Sequence, residues 1–179
     1  MNKKIISNLN NRSIVLVGMM GSGKTTTGKL LAEELKLPFY DSDNEIEKNL
    51  GKKINVIFKE HGELFFRNQE LNFFKKKINQ EQIIISSGGG SFINEEIQKR
   101  IKKDCISIWL KASKETLINR IKNKKNRPLL NVENFEDTLS LLLNKRNAIY
   151  EKADLTITID KLDKIKILHA IIKSLKSLK

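Results

Sequence analysis

The sequence predicts an α/β fold, with a five-stranded parallel sheet between helices in three layers. Short apolar runs rich in β-branched residues alternate with segments of helical periodicity, as in a parallel sheet. A glycine-rich loop joins the first of these runs to the first helix. The chain of 179 residues has the length of one domain. No linker or internal repeat divides it, so we expect a single domain over 1–179.

The first expected strand, 13–18, reads SIVLVG, a run typical of strands that are buried on both faces. The next segment, 26–36, has leucines at helical spacing, and PFYD at 38–41 is a second short strand. Helical patterns then fill 44–50, 54–61 and 63–77.

The second half of the chain continues the alternation. QIIISS at 82–87 and CISIWLK at 105–111 are apolar strands, with a helix expected over 94–102 between them. Helices are expected next over 113–122, 135–151 and 162–176, with a last strand over 155–159.

The composition is that of a basic globular protein. Lys and Arg number 34 against 21 Asp and Glu, a net charge of +13, which invites a nucleic-acid interpretation. Nearly all of the positive charge is lysine, spread along the chain without interleaved aromatic residues for base stacking. A/T-rich coding bias produces the same excess of Lys, Asn and Ile. We therefore expect no specific nucleic-acid partner.

The sequence favours a cytoplasmic monomer without a membrane partner. No apolar run approaches the roughly 20 residues of a membrane span, and the N-terminal segment has no apolar stretch long enough for a secretory signal. The one cysteine, Cys105, lies in an apolar run and is expected to be buried.

GMMGSGKT at 18–25 fits the phosphate-loop pattern G-x-x-x-x-G-K-[ST], and it stands between a strand and a helix as that motif requires. Its glycines let backbone N–H groups turn toward phosphate oxygens. Lys24 can reach the β- and γ-phosphates, and the Thr25 hydroxyl can bind Mg²⁺. The residues expected to contact a nucleoside triphosphate are Gly21, Ser22, Gly23, Lys24, Thr25 and Thr26.

The loop alone does not distinguish a kinase from a GTPase or a mechanical ATPase. NKKN at 123–126 lacks the aspartate of the guanine-reading N-K-x-D motif, and the chain has no room for a second helicase-type domain. A small kinase with an acceptor site and a basic lid is the class that remains.

DSD at 41–43 follows the second expected strand, at the edge where ligands of parallel sheets gather. One carboxylate there could face a metal ion and the other an acceptor hydroxyl. The pair equally suits capping of the next helix, and the residues alone leave both functions open.

Three of the few arginines occupy motif-like positions. Arg67 ends GELFFR, where it is either a surface residue with a buried stem or a bidentate partner for a carboxylate. Arg127 begins RPLL in a loop that suits either a phosphate-closing lid or a plain polar connection. Arg146 offers another cation for an anionic acceptor.

IISSGGGSF at 84–92 contains three of the nine glycines in succession. Glycine loses more conformational entropy on folding than any other residue, so this segment has a specific need for missing side chains. A hinge, a phosphate loop and a substrate-binding loop would each explain it.

In this order, GMMGSGKTT, DSD, GELFFR, SSGGG, RPLL and R-x-x-x-Y-x-x-x-A-D resemble the shikimate kinase family over about 13–159. The resemblance implies a P-loop kinase fold with an acceptor-binding segment at about 42–70 and a short lid at about 121–133. It implies transfer of the γ-phosphate of ATP, with one Mg²⁺ ion, to the 3-hydroxyl of shikimate.

The resemblance also implies which residues bind the acceptor. Asp43 would hold the hydroxyl group that is phosphorylated and assist its deprotonation, and Arg67 and Arg146 would bind the shikimate carboxylate. The residues implied to line the acceptor pocket are Gly88, Gly89 and Gly90.

At the nucleotide end, the resemblance implies Lys24 on the phosphates, and Thr25 and Asp41 near the metal ion, with Asp41 acting through water. Arg127 would close with the lid over the transferring group, and Arg120 would stack on adenine.

Two features depart from the family pattern: Ala148 stands where proline is usual, and DKLDK at 160–164 lacks the proline of the adenine-binding loop. Two alternatives stay beside this interpretation. One is another small-molecule kinase, such as a gluconate kinase. The other is a nucleotide-dependent nucleic-acid-binding module.

Overall fold

Five parallel strands form a sheet at the centre of the protein. The computed structural model describes residues 2–78, 81–122 and 134–178. The strands are β1 Ser13–Val17, β2 Phe39–Asp41, β3 Ile84–Ser86, β4 Cys105–Lys111 and β5 Leu155–Thr158. Their order across the sheet is β2-β3-β1-β4-β5, and every neighbouring pair is parallel. The predicted sheet is confirmed.

Helices connect the strands within the described ranges. They are α1 Asn2–Asn8, α2 Lys24–Leu35, α3 Ser42–Leu50, α4 Ile54–Lys77, α5 Glu95–Asp104, α6 Lys114–Lys122, α7 Phe135–Tyr150 and α8 Lys164–Lys176, with a 3₁₀ helix at Ser91–Ile93. The predicted helices agree with these within a few residues at their ends. Helix α1 and the 3₁₀ helix are absent from the sequence prediction.

The sheet separates two apolar cores. Along β1, Ile14 and Leu16 face one core and Val15 and Val17 face the other, because alternate side chains of a strand point to opposite faces. Helices α1, α2 and α8 close the first core, and α4, α5, α6 and α7 close the second. The predicted three-layer arrangement is confirmed.

Helix α4 bends sharply at Gly62, which has φ 79 and ψ 176. The sequence predicts two helices that meet at this residue, and the bend lies there. A Cβ atom at Gly62 would meet nothing within 4 Å, so the positive φ alone explains the glycine. Around the bend, α3 and α4 share a small apolar cluster of Ile46, Ile57 and Phe66, separate from the two cores.

Helix α1 is short and polar, and its stability comes from packing. Ile5 and Leu9 are completely buried in the first core. The side-chain amide of Asn8 donates hydrogen bonds to the carbonyl groups of Lys176 at 3.3 Å and Leu178 at 3.1 Å. A helix of seven residues is too short to be stable alone in water, which explains why local sequence patterns do not predict it.

The carboxyl ends of β1, β2 and β3 lie side by side. Asp41, the last residue of β2, pairs with Ser86, the last residue of β3, and Leu16 of β1 pairs with the same serine. The glycine-rich loop, DSD and the triple glycine therefore meet at one edge of the sheet, the usual place for ligands of this architecture.

Replacing Ile5 by alanine tests the docking of α1. Because the side chain is fully buried, Ile5→Ala should lower the free energy of unfolding by about 2–5 kcal/mol, measured by urea denaturation. Ile165→Ala is the matched control, since that isoleucine is 45% exposed and should change stability by less than about 1 kcal/mol. Equal effects of the two substitutions would contradict the docked position of α1.

Candidate functional site

A cleft of about 650 Å³ opens at the carboxyl edge of the sheet. The predicted site residues that line it are Gly21, Gly23, Lys24, Thr25, Thr26, Asp41, Asp43, Gly89 and Arg120. Two further predicted residues, Arg67 and Arg146, contact the triple-glycine segment beside the cleft. Arg127 and residues 123–133 of the predicted lid lie outside the described residues.

The loop between β1 and α2 has a conformation suited to phosphate binding. Gly21 and Gly23 have φ values of 82 and 90, in the left-handed region that glycine adopts without strain. The Lys24 ammonium group donates hydrogen bonds to the carbonyl groups of Gly18 at 2.8 Å and Met19 at 3.0 Å. It therefore lies within the loop, at the N-terminus of a helix, where anions are favoured.

Three oxygen groups meet beside this loop. The Thr25 hydroxyl donates a hydrogen bond to Asp41 Oδ2 at 2.7 Å, and Thr25 Oγ1 lies 3.5 Å from Ser86 Oγ. Within the described ranges there is no group of three or more His, Cys, Asp or Glu that could hold a metal ion. Mg²⁺ does not need one, because it keeps several water ligands and binds one or two carboxylates beside phosphate oxygens.

Asp41 caps a helix with one carboxylate oxygen and faces the cleft with the other. Its Oδ1 accepts a hydrogen bond from the Asn44 N–H at 3.3 Å, which makes it the N-cap of α3, while its Oδ2 faces the oxygen groups in the cleft. Helix α3 begins at Ser42, two residues before the predicted start, so Asp43 lies in its first turn. The Gly88 N–H donates to the Ser42 hydroxyl at 2.8 Å, which ties α3 to the triple-glycine segment.

The Asp43 carboxyl group is held in an unusual electrostatic environment. Burial is the largest cause of a rise in its pKa from 3.8 to about 6. The negative charges of Asp41 and Glu70 raise the pKa as well, whereas Lys24 and Arg67 lower it. Its buried Oδ1 has no hydrogen-bond partner among the described residues. A carboxylate with a raised pKa is a stronger proton acceptor than an ordinary aspartate, as general-base catalysis requires.

Arg67 lies between two glutamates of its own helix. Its Nη2 donates to Glu63 Oε1 at 2.8 Å, and its Nη1 donates to Glu70 Oε2 at 2.6 Å. Glu70 is completely buried, and its other oxygen accepts a hydrogen bond from the Ser91 hydroxyl at 2.5 Å. The buried Glu70 carboxylate therefore fixes the direction of the Arg67 guanidinium group. Ser91, the residue after the triple glycine, in turn holds Glu70.

The neighbouring side chains explain two of the three glycines. A Cβ atom at Gly88 would lie 2.5 Å from Asp43 Oδ1 and 2.7 Å from Glu70 Oε1. A Cβ atom at Gly90 would lie 2.5 Å from Arg67 Nη1. The segment thus lacks side chains because the charged groups of the site lie directly against its backbone.

A Cβ atom at Gly89, the middle glycine, would have more space, because its nearest neighbour would be Met20 N at 3.5 Å. Its carbonyl group points toward α7 and accepts two hydrogen bonds. Arg146 Nη1 donates at 3.1 Å and the Tyr150 hydroxyl donates at 2.5 Å. Arg146 thereby lies beside the cleft.

Arg120 connects the two sides of the nucleotide end of the cleft. Its Nη1 donates to the Ser22 carbonyl at 3.2 Å, and its Nη2 donates to the Leu162 carbonyl at 3.4 Å. This guanidinium group therefore joins the phosphate loop to the segment between β5 and α8. The other residues that line this end are Asn119, Lys164 and Ile167.

Several site residues are absent from the sequence prediction. Glu70 lies three residues after Arg67 and seven after Glu63, so helical spacing could have placed all three on one face. Ser86 ends an apolar strand, the position where phosphate-binding proteins of this type often carry an acid. Lys164 begins the helix after the last strand and carries no motif that marks it.

In the described part of the chain, no helix is both long enough and apolar enough to cross a membrane.

Sequence comparison relates the chain to enzymes of one family. The family model described as shikimate kinase matches residues 20–176. A shikimate kinase of Bartonella henselae is 41% identical over 173 residues, which cover 97% of this chain and 82% of the relative. A shikimate kinase of Thermodesulfovibrio yellowstonii is 41% identical over 167 residues, which cover 93% of this chain and 96% of the relative.

Solved structures agree with the sequence comparison. The shikimate kinase from Acinetobacter baumannii in complex with shikimate has a TM-score of 0.89 and 34% identity, over 98% of this chain and 99% of that one. A gluconokinase from Sinorhizobium meliloti has a TM-score of 0.62 at 17% identity, over 92% of this chain and 91% of that one, and shares the fold alone. With the family model, its relatives and the P-loop kinase fold in agreement, the chain belongs to the shikimate kinase family.

Proposed function

We propose that this protein transfers the γ-phosphate of ATP to the 3-hydroxyl of shikimate, giving shikimate 3-phosphate and ADP. Membership of the shikimate kinase family and similarity to a structure that contains shikimate support the substrate. The observation that carries the chemistry is the position of Asp43. Its carboxyl group, with a pKa raised to about 6, lines the same cleft as the phosphate-loop lysine.

The nucleotide would lie along the loop between β1 and α2. Lys24 and the backbone N–H groups of Gly21, Ser22 and Gly23 would bind its phosphates, with Thr26 beside them. Arg120, which bridges the two sides of this end of the cleft, would stack on the adenine ring.

One Mg²⁺ ion fits the oxygen groups beside the loop. Thr25 would bind it directly, and Asp41 and Ser86 would hold its water ligands, since their oxygens surround the Thr25 hydroxyl. When bound, such an ion neutralises charge on the phosphates. The hydrogen bond from Thr25 to Asp41 Oδ2, at 2.7 Å, supports this position for the ion.

The acceptor would bind between α3, α4 and the triple-glycine segment. Its carboxylate suits the guanidinium groups of Arg67 and Arg146, because two cations aligned beside one pocket favour a planar anion. Its 3-hydroxyl would then face Asp43, which takes the proton as the oxygen attacks phosphorus. Gly88, Gly89 and Gly90 leave room for these side chains to reach the acceptor.

Catalysis would depend mainly on position and charge rather than on a covalent intermediate. Arg127 would add positive charge at the transferring phosphate when the predicted lid closes, which would also exclude water as a competing acceptor.

We place the reaction in the cytoplasm, as the sequence suggests. Ala148 stands where proline is usual in the family, and Arg146 on the same helix still contacts the Gly89 carbonyl.

The main test is ADP release from Mg·ATP with shikimate, with gluconate and without an acceptor. Shikimate alone should stimulate release, and Asp43→Asn should lower kcat by about 100-fold or more, because a general base contributes about 10²–10⁴. Asp137→Asn, at an exposed aspartate in the first turn of α7, is the matched control and should keep full activity.

Stimulation by gluconate would favour the other small-molecule kinase. ADP release indifferent to both acceptors would overturn the proposal, and salt-dependent nucleic-acid binding would then favour the binding module.

The pH dependence tests the state of Asp43. Because its carboxylate must accept a proton, kcat/KM for shikimate should rise with pH through about 6 and level off above it. Stability should change in the opposite direction. A carboxyl group whose pKa rises on folding binds more protons when folded, so the contribution of Asp43 to the stability of the ligand-free protein falls as the pH rises from about 4 to about 6.

Asp43→Asn should therefore melt at a higher temperature than the natural protein at pH 8. This difference should shrink toward pH 4, because both proteins then carry a neutral group at residue 43. A difference that is constant from pH 4 to pH 8 would show that Asp43 does not titrate in this range.

Gly90→Ala tests the packing of the acceptor site. The new Cβ atom would lie 2.5 Å from Arg67 Nη1 and displace the guanidinium group, whereas a φ of −110 suits alanine. KM for shikimate should rise about tenfold or more, since a hydrogen bond to a charged group is worth about 1.5–3 kcal/mol. KM for ATP should change little, whereas the melting temperature should fall, because displacement of Arg67 weakens its ion pair with the buried Glu70. A parallel rise in KM for ATP would point instead to a general distortion of the loop.

A further inference from the structure

The Gly89 carbonyl group receives two hydrogen bonds from one helix. The Tyr150 hydroxyl donates at 2.5 Å and Arg146 Nη1 at 3.1 Å. The two donors lie four residues apart on α7, so they share one face of the helix. One carbonyl oxygen at the wall of the cleft is thus bonded both to a predicted substrate-binding group and to a tyrosine with no assigned function.

The two donors differ in freedom. Tyr150 is 1% exposed, and its ring lies between Phe92 and Trp109, with centroid distances of 6.4 Å and 5.9 Å. Burial raises the pKa of its hydroxyl to about 12, so the group keeps its proton and remains a donor. Arg146 is only half-buried and is held by a flexible stem that can turn toward a ligand.

We propose that Tyr150 is a positioning residue: it holds the Gly89 carbonyl so that Arg146 can leave that carbonyl and bind the acceptor carboxylate. This inference rests on the proposed function, in which Arg146 binds the carboxylate of shikimate. The carbonyl oxygen keeps one donor throughout, and the guanidinium group gains the acceptor as its new partner.

The physical basis is the asymmetry of hydrogen bonding in a partly buried site. Loss of one of two bonds to a carbonyl oxygen is a modest change, whereas loss of its last donor leaves a polar group unsatisfied, which is far more unfavourable. Without the Tyr150 hydroxyl, Arg146 would be the remaining donor in the described contacts of this oxygen. Acceptor binding would then have to break that last bond.

Tyr150→Phe tests the inference, because it removes one oxygen atom and keeps the ring. KM for shikimate should rise about tenfold, a factor equivalent to about 1.4 kcal/mol, while KM for ATP stays within about twofold. The matched control is Tyr40→Phe at the other tyrosine, which lies on β2 with its ring against Lys77. It should leave both KM values unchanged.

A double-mutant cycle separates this function from a merely structural one. In an Arg146→Ala background the acceptor carboxylate has already lost its partner on α7. Adding Tyr150→Phe should therefore raise KM for shikimate by less than about twofold. An equal rise in both backgrounds would show that Tyr150 acts through the loop as a whole, and it would overturn the inference.

Two other outcomes distinguish failure of this inference from failure of the proposed activity. Unchanged KM for shikimate in Tyr150→Phe, with normal turnover by the natural protein, would overturn the function of Tyr150 and leave the proposed activity intact. Absence of shikimate-dependent turnover in the natural protein and in Tyr40→Phe would overturn the proposed activity and, with it, this inference.

Discussion

The parallel register of β2 against β3 places Asp41 beside Ser86. The positions of the other site residues depend on this pair. The Thr25 hydroxyl reaches Asp41 from the phosphate loop, so the nucleotide end is fixed to the end of β2. The next two residues begin α3 and direct Asp43 into the cleft. A shift of one residue in this register would turn the side chains of β2 to the opposite face and separate the Asp41 carboxylate from Thr25 of the phosphate loop.

Charge balance around the triple-glycine segment connects stability with chemistry. Asp43 and Glu70 bring negative charge into a region of low solvent access, where unpaired charges are strongly unfavourable. Arg67 offsets this negative charge through its ion pair with Glu70. The positive charge of Lys24, in the phosphate loop, lowers the pKa of Asp43 as well. The compensation is incomplete at Asp43, which explains its raised pKa and suits the general-base function proposed for this carboxylate.

Local signals in the sequence predict the strands, the phosphate loop and the bend at Gly62, because these depend on a few consecutive residues. Contacts between distant segments decide what the sequence does not predict. Glu70 becomes part of the site through Ser91, and Gly90 is required by the position of Arg67. Helix α1 depends on contacts with α8 at the other end of the chain. The lid was predicted from RPLL and from the family resemblance, and it stays a prediction.

The bend in α4 divides the chain into parts that differ in how they are anchored. Beyond the bend, Phe73 and Phe74 belong to the second core. Helix α3 and the start of α4 instead share a small separate cluster, in which the partly buried Leu50, Ile54, Phe58 and Phe65 pack against Ile46, Ile57 and Phe66. Because this cluster is small and separate from the two main cores, we expect the unit to open at lower free energy than the whole protein. We therefore expect the segment proposed to face the acceptor to loosen while the sheet stays folded, and the entropy lost on ordering it would then lower the affinity for the acceptor.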